Sequence, residues 1–208
     1  VRRIANEIGL PNAEKKDSQG LCFVGKVKLP DFLQQQLEVQ HGPILRVPPK
    51  AVVPGEHPWS EPKIDFGQSI EVGTHPGAHF FTIGQRRGLN VGGHTEPLFV
   101  IGKDMSKNTL FVGESDRHPG LRRQGLSMAP KDVHWVRPDL RPNDHLPLRV
   151  LARFRYRQPL QLATLTLHGE DITTLVFDEP QSGIASGQFA AWHDIETGEE
   201  VLGSGVIS

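Results

Sequence analysis

The sequence predicts a mainly β protein: a small central β-rich domain followed by a small closed antiparallel barrel, with short helices near the N-terminus. Three observations carry that prediction. Of the 208 residues, 22 are glycine and 17 proline. That is nearly one in five against an average of about 12%, a turn-rich composition still short of the roughly 25–30% of low-complexity chains. Apolar residues fall in short β-type runs punctuated by clusters of Gly, Pro, Asn and Asp. Between the later runs no long helical stripe intervenes, the pattern of a small antiparallel barrel.

Taken in order, Val1, Ile4, Ala5 and Ile8 recur at i, i+3, i+4 and i+7, an amphipathic helix that Gly9 and Pro11 bring to a stop. This helix is already under way at residue 1, with no initiator Met and no capping side chain before it, so a piece of a longer protein is expected. Residues 12–25 form a polar, basic loop around the apolar run Leu21-Cys22-Phe23-Val24. Pro30 and Asp31 ahead of Phe32, Leu33 and Leu37 predict a short helix. Prolines 43, 48, 49, 54 and 58 remove backbone donors, so only short edge strands or loop are expected there. Strands follow at 69–72, 79–83, 98–101 and 109–112, with a hairpin turn at 103–108. His118-Pro119-Gly120 reads as a linker. Beyond it, strands are predicted at 148–157, 161–167, 173–177, 189–192 and 201–207. The expected division is 1–30, 31–118 and 119–208.

Charge and composition exclude several classes. Lys plus Arg number 23 and Asp plus Glu 24, so any attraction to nucleic acid must be local rather than global. With Cys22 the single cysteine, no disulfide closes within these residues, and the ten histidines have no cysteine partners at zinc-finger spacing. No apolar run approaches the ~18 residues of a membrane span, and no secretory segment is visible. A reducing, cytoplasmic setting is the expectation, with no membrane partner.

The most informative segment runs from Leu148 to Arg157. In a strand, alternate side chains share a face. Leu148, Val150, Ala152, Phe154 and Tyr156 then face a core, while Arg149, Arg153, Arg155 and Arg157 form a guanidinium row. Planar forked donors suit phosphate oxygens, and Tyr156 at the end could stack on a base or lie in the core with its hydroxyl at the rim. The competing reading is a solvated face whose arginines pair with Asp171, Asp178 or Glu179. On residues alone the two stand level.

Cys22 is open to two readings as well. Leu21 and Phe23 favour a buried thiol, whereas the bracketing Gly20 and Gly25 and the nearby Lys15 and Lys16 favour a reactive thiolate. Local composition alone favours the buried one. The glycine-rich stretch Thr82 to Gly93 lacks the Gly-Lys-Ser/Thr ending of an ATP loop. His75 and His79 have helical spacing, but Pro76-Gly77 between them argues against a metal pair.

Several motifs together carry a resemblance. Lys15-Lys16-Asp17-Ser18-Gln19-Gly20-Leu21-Cys22-Phe23-Val24-Gly25 is similar to the second-cysteine motif of the tRNA-specific 2-thiouridylases. Gly73-x-His75-x-Gly77, Thr82-Ile83-Gly84-Gln85-Arg86-Arg87-Gly88-Leu89 and Gly92-Gly93 resemble the signature of that family's central domain. Val100-Ile101-Gly102-Lys103-Asp104, Arg155-Tyr156-Arg157-Gln158, Phe177-Asp178-Glu179-Pro180 and Gly187-Gln188 follow in the family's order.

The resemblance implies a C-terminal six-stranded barrel similar to the second domain of elongation factor Tu. It implies that Cys22 carries persulfide sulfur, transferred to C2 of the wobble uridine, position 34 of tRNA, in a reaction using ATP and a sulfur-relay donor protein. It further implies that Arg155, Tyr156 and Gln188 meet the tRNA, and that Cys22 can close a disulfide with a cysteine of the family's ATP-binding domain. That domain's Ser-Gly-Gly-x-Asp-Ser loop and its cysteine do not occur in these residues. Residues 1–30 therefore resemble the tail of the ATP-binding domain, and the chain alone is expected to be inactive. Ser186 stands where the family has proline, and Ser204 where it has glycine. The alternative is a non-catalytic RNA-binding barrel in which Cys22 only packs.

Overall fold

The computed structural model describes residues 2–14 and 38–208. The chain divides into two units, Val1–Val39 and Gln40–Ser208. In the first, α1 (Arg2–Glu7) ends where the sequence places its stop. Gly9 takes φ +71°, Leu10 N–H donates to Ala5 O at 2.8 Å and Gly9 N–H to Asn6 O at 3.1 Å. That pair of bonds is a Schellman cap, which a left-handed glycine permits. The helix expected near Pro30 and the loop around Cys22 lie outside the described residues.

The second unit opens with a four-stranded sheet built from β1 (Gly42–Arg46), β4 (Ile70–His75), β5 (Leu98–Asp104) and β6 (Thr109–Glu114), in the order β4-β1-β6-β5. A two-stranded ribbon, β2 (Val52–Val53) with β3 (Lys63–Ile64), stands beside it in sequence. Leu110 and Val112 of β6 pack with Ile44 and Val100 on one face. Phe111, between them, packs with Val47, Ile101 and Leu121 on the other, as the two-residue period of a strand requires. Leu121 belongs to the 3-10 turn Pro119–Leu121, so the segment read as a linker contributes to a core.

The barrel is closed and six-stranded. Its strands are β7 (Arg122–Trp135), β8 (Leu148–Arg153), β9 (Gln161–His168), β10 (Ile172–Ser182), β11 (Phe189–His193) and β12 (Val201–Ile207). The order is β10-β7-β12-β11-β8-β9, with β9 pairing back onto β10. Every pair within it is antiparallel. Ala163, Leu165 and Leu167 of β9 and Val150 and Ala152 of β8 alternate into a core around the fully buried Trp192. Closure leaves no sheet edge with unpaired backbone groups.

Two sequence expectations are corrected, and one strand, β7, was not among those expected. β1 is an interior strand, parallel to β6, although it contains Pro43. The β6 pairing covers only Ile44 to Arg46, so the proline's missing donor costs no bond there. Residues 79–83 are not a strand: Ala78–Phe80 is a 3-10 turn, begun by Gly77 at φ +154° and held by Asn108 Oδ1 accepting from Ala78 N–H at 2.9 Å. The 14-residue β7, the longest barrel strand, carries no clear period, because its Arg-Arg-Gln-Gly start and Pro130-Lys131-Asp132 interrupt the apolar positions Leu126 and Met128.

Candidate nucleic-acid interface

β8 follows the predicted alternation as far as Arg153 and then ends. Gln158 closes the turn: its Oε1 accepts from Phe154 N–H at 3.1 Å and its own N–H donates to Arg155 O at 3.1 Å. Arg157 sits at φ +67°. The strand expected to reach residue 157 therefore stops four residues early, and the ring of Tyr156 leaves the core face to stand 75% exposed. The Arg157 guanidinium lies 5.4 Å from its centroid, within cation–π range.

The arginine row does not act as one surface. Arg149 makes a two-pronged pair with Asp178, 2.7 Å on each prong, and also donates to Thr164 Oγ1 at 2.9 Å. The hydrogen bonds of that pair hold the Asp178 carboxyl below its ordinary range and the Arg149 guanidinium above its own. Here the ion-pair reading is correct. Arg155 instead turns back into the protein, where Nη2 donates to Gly183 O at 2.7 Å and Ile83 O at 3.0 Å. Its Nε is buried without a partner among the described residues, and burial lowers its pKa.

Two glycines make room for that head group. A Cβ on Gly84 would stand 2.9 Å from Arg155 Nη2, and one on Gly183 only 2.5 Å from it. Both residues have positive φ, +82° and +72°. The Gly84 N–H donates to Val100 O at 2.7 Å, and Gln85 N–H donates to Thr82 O at 3.0 Å. The Gly84 and Gln85 amides are thus taken up by backbone carbonyls, and the open face of Gly84 by the Arg155 head group.

Arg155, Tyr156 and Gln188 line one concavity of about 630 Å³, together with Arg153, Phe189 and His193. Gln188 reaches it from the turn before β11; its N–H donates to Ala185 O at 3.3 Å and its carbonyl accepts from Ile207 N–H at 2.8 Å. Phe189, 65% exposed, is the residue that sequence reasoning missed. Its signal was an aromatic side chain directly after Gly187-Gln188. Cys22 lies outside the described residues. His75 is buried, with Nδ1 accepting from Gly77 N–H at 3.0 Å. Among the described residues no group of three or more His, Cys, Asp or Glu is placed to hold a metal, and no helix is long and apolar enough to cross a membrane.

Three family profiles match in chain order: the tRNA methyl transferase HUP domain over residues 1–26, the tRNA methyl transferase PRC-barrel domain over 63–114, and the aminomethyltransferase beta-barrel domain over 126–207. The tRNA-specific 2-thiouridylase MnmA of Christiangramia forsetii is 49% identical over the whole of this chain, and that of Flavobacterium johnsoniae 46%. The MnmA of Halalkalibacterium halodurans is 39% identical, again over the whole chain. This chain belongs to the tRNA-specific 2-thiouridylase family.

The chain spans about half the length of the curated 2-thiouridylases it matches, 55% of the first two. Within that half, the third profile takes in almost the entire barrel and every residue lining the concavity at Tyr156 and Gln188. The first profile takes in Cys22.

Proposed function

We propose that this chain is the part of a tRNA 2-thiouridylase that carries the sulfur and seats the RNA. Cys22 takes up sulfur as a persulfide from a sulfur-relay donor protein. In the complete protein the outer sulfur attacks C2 of the wobble uridine, position 34, displacing its ATP-adenylated oxygen as AMP. The cysteine of the ATP-binding domain then frees the thiolated base by closing a disulfide with Cys22. Arg155, Tyr156 and Gln188 line the surface that meets the tRNA. The observation that carries this reading is that Gln188, remote in sequence, joins the adjacent Arg155 and Tyr156 at one concavity in a chain 49% identical to a named 2-thiouridylase.

Chemistry at the concavity supports it. An exposed phenol and an exposed phenyl ring beside Arg153 and Arg157 supply stacking faces and positive charge together, the combination by which unpaired nucleotides are held. Arg155 contributes position as much as charge, because its Nη2 ties the turn bearing Tyr156 to the Ile83 and Gly183 carbonyls. The requirement for ATP belongs to the complete protein. None of the described residues is assigned to ATP.

The domain limits 1–30, 31–118 and 119–208 are part of the same proposal, supported by the spacing of the three profiles. So are a cytoplasmic location and the inactivity of this chain alone. The test is a digest of the complete protein after incubation with a persulfide donor, searched by mass spectrometry for a gain of about 32 Da on the Cys22 peptide. Loss of 2-thiouridine from tRNA in a Cys22→Ser strain is the matching result. Full thiolation in that strain would leave only the non-catalytic RNA-binding barrel.

A further inference from the structure

A second cavity, of about 680 Å³, opens between the four-stranded sheet and the barrel. Arg123 of β7 lines it. That side chain is only 7% exposed, and its ion-pair partner, Glu61 at 3.3 Å, is itself 68% exposed. Arg123 Nη2 is buried with no hydrogen-bond partner among the described residues. Burial lowers the pKa of this guanidinium, and the nearby Glu61 carboxylate opposes the shift. A buried cation with half its fork empty is a costly arrangement, and one solvated carboxylate held through a single contact compensates weakly.

Gln188 also lines this cavity, and its Oε1 is buried with no hydrogen-bond partner among the described residues. Thr82, Ser186 and Lys103, whose ammonium donates to Phe81 O at 2.9 Å, add polar groups to the lining, and an apolar wall stands beside them. Phe66 is stacked on Phe111 through one face, centroids 3.7 Å apart, and remains 41% exposed. Ile101 and Ile184 continue that surface. An anion-seeking donor, a lone acceptor and a flat apolar wall thus share a space within the 300–1,000 Å³ usual for small-ligand pockets.

We propose that this cavity binds a nucleoside monophosphate unit: its phosphate replaces Glu61 on Arg123, its base lies against Phe66, and a base N–H donates to Gln188 Oε1. The planar guanidinium suits two phosphate oxygens at once. The unit is either a free nucleotide or a nucleotide extruded from bound RNA. The second source rests on the RNA reading above, and the first does not.

The probe is uridine 5′-monophosphate, titrated calorimetrically into the complete protein, with uridine as the phosphate-free control. Uridine monophosphate is expected to bind at least about tenfold more tightly than uridine, a gap of about 1.4 kcal/mol. Arg123→Met is expected to remove that advantage. Because Arg123 is buried and its variant can misfold, the deciding variant is Glu61→Gln at an exposed position. Freeing the guanidinium from its carboxylate should tighten binding by roughly threefold to tenfold. No binding, or binding unchanged or weakened in Glu61→Gln, overturns the proposal. Displacement of an anticodon stem-loop RNA by uridine monophosphate assigns the unit to RNA, and binding without displacement assigns it to a free nucleotide. If the RNA itself does not bind while uridine monophosphate still responds to Glu61→Gln, the RNA reading fails and the cavity assignment stands.

Discussion

Arg155 Nη2 donates to the carbonyl of Gly183 at 2.7 Å, and a single methyl group on that glycine would sit 2.5 Å from the same nitrogen. The bond and the missing side chain are one device. Nη2 also reaches Ile83 O at 3.0 Å, so one guanidinium ties the turn after β8 to the turn after β10 and to the glycine-rich turn of the central region. Gly183 N–H in turn donates to Leu121 O at 2.9 Å, which anchors the joint to the segment between sheet and barrel.

Gly183→Ala is expected to destabilise the fold by about 1–3 kcal/mol, since it adds both a left-handed backbone strain and a clash with a buried head group. Gly84→Ala should act in the same direction through the same nitrogen. Urea unfolding of the purified variants measures it. An unchanged midpoint for Gly183→Ala would show that Arg155 can leave its seat freely.

RNA binding should separate the arginines. Arg149 is already neutralised by Asp178, so Arg149→Gln should leave the salt dependence of tRNA affinity unaltered and cost the fold no more than about 1 kcal/mol. Arg157→Gln, at an exposed turn position, should flatten the log–log salt slope by about 0.9 if it meets one phosphate. Filter binding across a salt series reads both slopes.

Tyr156→Ala should weaken tRNA binding by about 1–3 kcal/mol with little change in the salt slope, because stacking rather than charge is lost. Phe189→Ala is expected to behave alike. Equal affinity in both variants would remove the aromatic pair from the interface.

The fold should weaken in acid. His75, His118 and His193 are buried, and desolvation lowers each pKa below the ordinary 6.5. A folded-state value below the unfolded one means that the unfolded chain takes up protons first as pH falls. The stability contribution is therefore complete above about pH 6.5 and declines below it, by at most about 1.4 kcal/mol per pH unit for each histidine. His118 shows why: Nδ1 accepts from Gly120 N–H at 3.2 Å, which leaves the proton on Nε2 for Val47 O at 3.1 Å. His118→Gln should make the denaturation midpoint less sensitive between pH 7.5 and 5.5, and a steeper dependence would contradict the assignment.

Gly113→Ala tests the same residue sterically. A Cβ there would lie 2.4 Å from His118 Cγ, and the imidazole has little space to retreat. A loss of about 1–3 kcal/mol is expected by overpacking, measured by thermal or urea unfolding.

Much of the barrel was legible because a period of two survives in β9 and β8, where Ala163, Leu165 and Leu167, then Val150 and Ala152, alternate inward. β7 was not legible. It buries Leu126 and Met128 within a run of arginines, glutamine and glycine, and it is a strand because β10 and β12 hold it from both sides. Tyr156 was carried one step too far along the alternation, since the side chain of Gln158 captures the Phe154 amide and turns the chain.

The sequence by itself determined the strand-rich class, the C-terminal barrel and, through ordered motifs from Cys22 to Gln188, the family. These are properties of local period and of residue identity, which a linear chain carries in full. Only the tertiary structure decided that Arg155 faces inward, that Arg149 is spent on Asp178, and that Arg123 and Gln188 share a cavity. The acceptors of Arg155 lie 28 and 72 residues away, and no local pattern specifies which distant carbonyl a folded chain will bring within hydrogen-bonding reach.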